Sequence, residues 1–102
     1  MQKIEAIISS EAISQIRALL ENRHISNFIF SNVTAKSTNG AHHRVYRGVA
    51  YEVEFDERVK LEAVVQDDQA TDTAQAILKA GGGPPLSFKP QVLLTPISQL
   101  LF

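Results

Sequence analysis

The chain has no cysteine and no marked excess of either charge. Without cysteine there can be no disulfide, no thiol nucleophile and no Cys-based zinc site, a composition that suits a reducing compartment. Ten basic residues stand against eleven acidic ones, for a formal net charge of −1. The basic footprint that phosphate backbones demand is therefore missing, and nucleic acid is not an expected partner. No run approaches the roughly 20 apolar residues that a bilayer-spanning helix needs. Met1 to Ser10 shows no basic run followed by a long apolar stretch, so a signal peptide is not expected and the expected location is the cytoplasm. A nucleophile–base constellation is also lacking: no serine sits on a strand-to-helix elbow, and no carboxylates pair with the logic of a cleft. The chain is read as a non-enzyme with no required cofactor.

What is present is a duplication. The 102 residues, 44% hydrophobic, suit a single domain over 1–102 that buries one core between two layers. Within it, Lys3-Ile4-Glu5-Ala6-Ile7-Ile8 is nearly repeated as Lys60-Leu61-Glu62-Ala63-Val64-Val65. Each copy is short and rich in β-branched residues, and so reads as a strand, with Ile4, Ala6 and Ile8 on one face and Ile7 making the other face partly apolar. Each is followed by polar residues and then a helical pattern. In the first helix Ile13, Ile16, Leu19 and Leu20 form a stripe, with Ser9 or Ser10 as cap and Glu11 at the positive end of the dipole. In the second the stripe is Ala70, Ala74, Ile77 and Leu78. Asp67 and Asp68 serve its N-terminus, Lys79 its C-terminus, and Gly81 is expected to provide a left-handed exit. Strand-like runs then follow at Asn27–Thr34 and Gln91–Thr95.

The expected order is strand 2–8, helix 10–22, strand 26–35, a long loop and hairpin 36–57, strand 58–66, helix 68–80, a Gly/Pro loop 81–90 and strand 91–95. Two βαβ units joined in this way give an α+β, ferredoxin-like βαββαβ sandwich: a four-stranded antiparallel sheet with both helices on one face. Apolar residues such as Ile7, Val64 and Phe28 or Ile29 also fall on the other face, which points to an oligomer that buries it.

The segment Tyr46-Arg47-Gly48-Val49-Ala50-Tyr51 resembles the Tyr-Arg-Gly-x-x-Tyr signature of PII signalling proteins, and the resemblance runs without a gap from residue 1 to about residue 80. It implies a homotrimer with clefts between subunits for ATP or ADP. It also implies a 2-oxoglutarate site and a long T-loop, here 36–57, that grips a membrane transporter or a metabolic enzyme. Carried over residue by residue, the nucleotide- or anion-binding set is Ile7, Ala35, Lys36, Ser37, Thr38, Asn39, Arg58, Glu62, Val64, Gly82, Gly83 and Lys89. The partner-binding loop residues are His42, His43, Arg44, Tyr46, Arg47 and Tyr51, with Tyr51 at the position that is modified in some relatives.

The departures are specific. Ala35-Lys36-Ser37-Thr38-Asn39 stands where the family has Gly-Phe-Gly-Arg-Gln, and Gly81-Gly82-Gly83-Pro84-Pro85 replaces the family's phosphate loop. Glycine N–H groups can cradle an anion, but the two prolines contribute none. The chain also ends at Phe102 without the arginine pair that holds phosphates in the family. ADP or AMP is therefore expected as effector ahead of ATP, with bicarbonate or 2-oxoglutarate as accompanying anion and nitrogen or carbon metabolism as setting. Two alternatives stand beside this: a ligand-independent trimeric adaptor, and a metal-responsive trimer of the copper-tolerance type, whose motive is His42 and His43.

Overall fold

A computed structural model describes residues 1–36, 42–46, 49–53, 55–83 and 88–101, with backbone alone at 42–46 and 49–53. In chain order the elements are β1 (Gln2–Ile8), a 3-10 turn at Ser10–Ala12, α1 (Ile13–Asn22), β2 (Phe28–Lys36), β3 (His42–Tyr46), β4 (Val49–Val53), β5 (Phe55–Val65), α2 (Asp67–Ala80) and β6 (Gln91–Pro96). The main sheet is four-stranded and antiparallel, in the order β2-β5-β1-β6. Units β1-α1-β2 and β5-α2-β6 thus interleave, their first strands meeting at the centre, and the expected α+β ferredoxin-like fold is what forms. β3 and β4 pair separately as a hairpin, Tyr46 opposite Val49.

The two copies of the repeat are β1 and β5, and they pair with each other. Period-2 alternation puts Ile4, Ala6 and Ile8 of β1 and Val59, Leu61, Ala63 and Val65 of β5 on the helix side, all at most 3% exposed. Ile16 and Leu20 of α1, with Ala70 and Ile77 of α2, close the core from above. At roughly 1.5–3 kcal/mol for each large side chain taken out of water, this layer is the main stabilising term.

Helix ends differ from the expected ones. The first three residues of the first helix are a 3-10 turn, capped by Ser9, whose Oγ accepts from the Glu11 N–H at 3.3 Å. α1 ends in the left-handed region at His24, φ 60°. There the His24 N–H donates to the Glu21 carbonyl and the Ile25 N–H to that of Leu20, satisfying carbonyls the helix leaves open. Gly81 is not left-handed. Its φ is −81°, in the right-handed region, and its role is close approach. A Cβ there would lie 2.8 Å from Ile8 Cγ2 and 2.9 Å from the Ile77 carbonyl oxygen. The stripe of α2 also shifts. Thr73 is fully buried and Leu78 is 40% exposed, because Leu78 lies about 100° around the helix from Ile77. Thr73 Oγ1 has no hydrogen-bond partner among the described residues, a desolvation cost of about 1–3 kcal/mol.

The two neighbouring glycines should therefore respond oppositely. Gly81→Ala is expected to lower unfolding free energy by about 1–3 kcal/mol through overpacking. Gly82→Ala, where nothing lies within 4 Å of a new Cβ, should be neutral or slightly stabilising. Urea denaturation of both variants checks this; equal losses would contradict it.

Candidate functional site

The sheet face turned away from the helices is organised in rows by the register. One row runs Ile29–Glu62–Glu5–Leu93 across all four strands, and the next runs Ser31–Lys60–Ile7–Gln91. The ends of the first row are apolar and open, Ile29 and Leu93 each 57% exposed. Its centre sets two glutamates directly opposite each other, an arrangement that destabilises a sheet unless the charge is balanced. The repeat supplies the balance, because each glutamate comes with a lysine two residues before it. Lys3 Nζ lies 2.7 Å from Glu5 and 3.5 Å from Glu62, and Lys60 Nζ lies 3.1 Å from Glu62. The hydrogen bond from Lys3 is the main reason the Glu5 carboxyl is held below its ordinary value. The bond from Lys60 does the same for Glu62. Reciprocally, the bond to Glu5 raises Lys3.

Two clefts open near this network. A small one, about 160 Å³, is lined by Lys3, Asn27, Ile29, Glu62, Ala63 and Val64. Its edge is set by the ladder: the Val64 N–H donates to the Asn27 carbonyl at 3.0 Å. The second, about 270 Å³, lies at the start of the hairpin stem and is lined by Ser10, Asn32, Val33, Thr34, Glu57 and Arg58. Of the residues expected to bind a nucleotide or anion, the structure brings Glu62 and Val64 together in the first cleft and puts Arg58 in the second. Ile7 is half-buried in the row beside them. Ala35 and Lys36 sit higher on the stem, opposite Asp56 and Phe55, and line neither cleft.

In the glycine loop, the Ser9 N–H donates to the Gly81 carbonyl at 2.9 Å. A Cβ on Gly83 would collide with Ser9 Oγ. Gly81 and Gly83 are thus used for close packing, while Gly82 and Lys89 are exposed. Ser37, Thr38, Asn39 and Arg47 lie outside the described residues. His42, His43, Arg44 and Tyr46 are on β3 and Tyr51 is on β4, where the backbone pairs Arg44 with Tyr51. Among the described residues no group of three His, Asp or Glu side chains is placed to hold a metal.

Three partners of Arg58 went unread in the sequence. Its Nη2 lies 3.3 Å from Asp56 Oδ2, Nη1 donates to the Glu57 carbonyl at 2.9 Å, and the guanidinium carbon sits 4.4 Å from the centre of the Phe88 ring. The i, i+2 spacing of Asp56 and Arg58 on a strand was the available signal for the first. Nothing local marks Phe88.

The family model for nitrogen regulatory protein P-II matches residues 1–83. The chain belongs to the P-II family. Similar proteins include a nitrogen regulatory protein P-II of Cereibacter sphaeroides, 32% identical over 80 residues, 78% of this chain and 71% of the relative. A nitrogen regulatory PII-like protein of Bacillus subtilis is 34% identical over 84 residues, 79% of this chain and 72% of the relative. A P-II protein of Nostoc punctiforme is 28% identical over 101 residues, 99% and 89% of the two chains. The family match ends within the Gly81–Gly83 run, so Phe88 and β6 of this P-II protein lie beyond it. No helix among its described residues is long and apolar enough to cross a membrane.

The charge network of this P-II protein carries a pH signature. Glu5 and Glu62 are both depressed below 4.5 in the folded chain. Their contribution to stability is complete above that value and is lost as pH falls through the lower folded values. Glu62→Gln should therefore be less stable than the parent at pH 7. The difference should narrow as pH falls through the lowered folded value of Glu62, where the parent's carboxylate itself takes up a proton. Urea titrations at pH 7 and pH 3 measure both; a difference of the same size at the two values would contradict the pairing.

Proposed function

We propose that this P-II protein is a trimeric, cytoplasmic regulator, not a catalyst. It binds an adenine nucleotide at the Glu62–Val64 cleft and relays occupancy through the 36–57 segment to a transporter or enzyme of nitrogen or carbon metabolism. The observation that carries this reading is the cleft itself. Ile29 and Val64 offer apolar surface for a purine, while Glu62 and the Asn27 amide offer hydrogen-bonding groups for base edges and ribose hydroxyls. At about 160 Å³ it is smaller than the roughly 300–1,000 Å³ of a ligand pocket, so it is half a site. A second subunit docked on the apolar ends of the same row, at Ile29 or Leu93, would complete it.

Among the described residues, the phosphates have few anchors. Lys3 is the one cation among the described residues in the lining of this cleft, and its charge is already shared between Glu5 and Glu62. Two of the three loop glycines are packed against Ser9, Ile8 and Ile77. Fewer phosphate contacts favour ADP or AMP over ATP, with bicarbonate or 2-oxoglutarate as a second ligand. The engagement of Arg58 by Asp56, the Glu57 carbonyl and Phe88 favours the other reading, a constitutive adaptor that needs no effector.

Calorimetric titration separates the two. The expected result is heat from ADP or AMP, less from ATP, strengthened by one of the small anions and reduced about tenfold in Glu62→Gln, the loss of one hydrogen bond to a charged group. No heat from any nucleotide, alone or with either anion, would overturn the sensor and leave the adaptor.

A further inference from the structure

The helix side of the sheet changes character along its length. On β2 its positions read Phe28, Phe30, Asn32 and Thr34; on β5 they run from Ala63 and Leu61 through Val59 to Glu57. The apolar members belong to the core or pack against it, whereas Asn32, Thr34 and Glu57 are exposed. Thr34 and Glu57 stand directly opposite each other in the ladder. Ser10, at the start of the 3-10 turn, meets them from the helix layer. With Val33 and Arg58 these residues line the cleft of about 270 Å³, close to the roughly 300 Å³ at which small-ligand pockets begin. The two charges in its lining are not equally available. The Arg58 guanidinium is engaged by Asp56, the Glu57 carbonyl and the Phe88 ring. The Glu57 carboxylate has no ion-pair partner among the described residues. The uncommitted charge is therefore negative, and it is surrounded by two hydroxyls and a primary amide.

We propose that this cleft is a second ligand site, and that it takes a small molecule bearing a primary alkylammonium group. Such a group has three N–H donors and no acceptor. The cleft gathers the acceptors to meet them: the Glu57 carboxylate, the Ser10 and Thr34 hydroxyls and the Asn32 amide oxygen. The bond to the carboxylate is charge-assisted on both sides, the strong kind. Val33 gives the alkyl stem an apolar surface to lie along. A carboxylate or phosphate ligand would find no uncommitted cation among the described lining residues, so the site selects by sign of charge. Asn32, Thr34 and Glu57 are on the helix side of the sheet, whereas Glu62 and Lys3 of the other cleft belong to the open side. The two clefts share no residue, and this proposal does not rest on nucleotide binding.

Amide chemical shifts of the nitrogen-15-labelled full chain, titrated with butylammonium chloride at neutral pH, test it. The expected result is saturable movement of Ser10, Asn32–Thr34 and Glu57–Arg58, with Lys3, Asn27 and Glu62–Val64 unmoved. Glu57→Gln, which keeps the shape and removes the charge, should weaken binding about tenfold or more; Thr34→Val should weaken it about threefold. Tetramethylammonium has the charge but no N–H, and butanoate has the chain length with the opposite charge. Both should move these amides no more than sodium chloride does at equal ionic strength. Shifts that never saturate, equal affinity in Glu57→Gln, or the same response to tetramethylammonium would overturn the site. So would shifts shared equally by Asp67, Asp68 and Asp72, which would mean general attraction to carboxylates. A matching response to butanoate would overturn its selection by charge.

Discussion

Glu5 and Glu62 face each other across the central ladder, and much of the molecule is arranged around that contact. Pairing two copies of the same lysine–apolar–glutamate segment antiparallel brings like charges together at the centre. It also brings Lys3 and Lys60 to either side, so the pair is neutralised by the residues that accompany it in each copy. Being solvent-accessible, these ion pairs are individually weak. Their effect is on register. A slip of one residue would turn Ile4, Ala6 and Ile8 outward and the charged residues into the core, so the burial pattern and the charge pattern select the same alignment.

That alignment fixes the open face. Because Glu5 and Glu62 hold the middle of a row, Ile29 and Leu93 end it, and a face with a balanced charged centre and exposed apolar ends suits association better than solvation. It also sets the small cleft, since Asn27 and Ile29 come alongside Glu62 and Val64 only in this register. Sheet pairing, the face proposed for assembly and the proposed half-site are consequences of one alignment.

Much of the fold was legible in the sequence. The repeat announced two equivalent strands, the 3.6-residue stripes announced the helices, and the Tyr46–Tyr51 motif pointed to the family. What was not legible depended on distant neighbours. That the two copies pair with each other is a matter of topology, which a strand does not encode locally. Gly81 read as a left-handed exit because glycine after a helix usually is one; here the approach of Ile8 and Ile77 requires it, and the left-handed residue is His24 on the other helix. Thr73 was passed over as polar, yet its position on α2 points it into the core. At the site, Glu62 and Val64 came through resemblance, whereas the partnership of Arg58 with Phe88 joins segments that nothing in the local sequence links.

The match to the family model ends at the loop after α2, while the alignment with the P-II protein of Nostoc punctiforme spans 99% of the chain. In that loop Gly81 and Gly83 serve contact with the β1 exit. The central claim is the proposed one, that the open sheet face is an interface between copies of the chain, without which the proposed nucleotide cleft remains half-built. Native mass spectrometry of the purified protein at micromolar concentration tests it most directly. The account predicts a complex of three chains; a monomer under those conditions would contradict it.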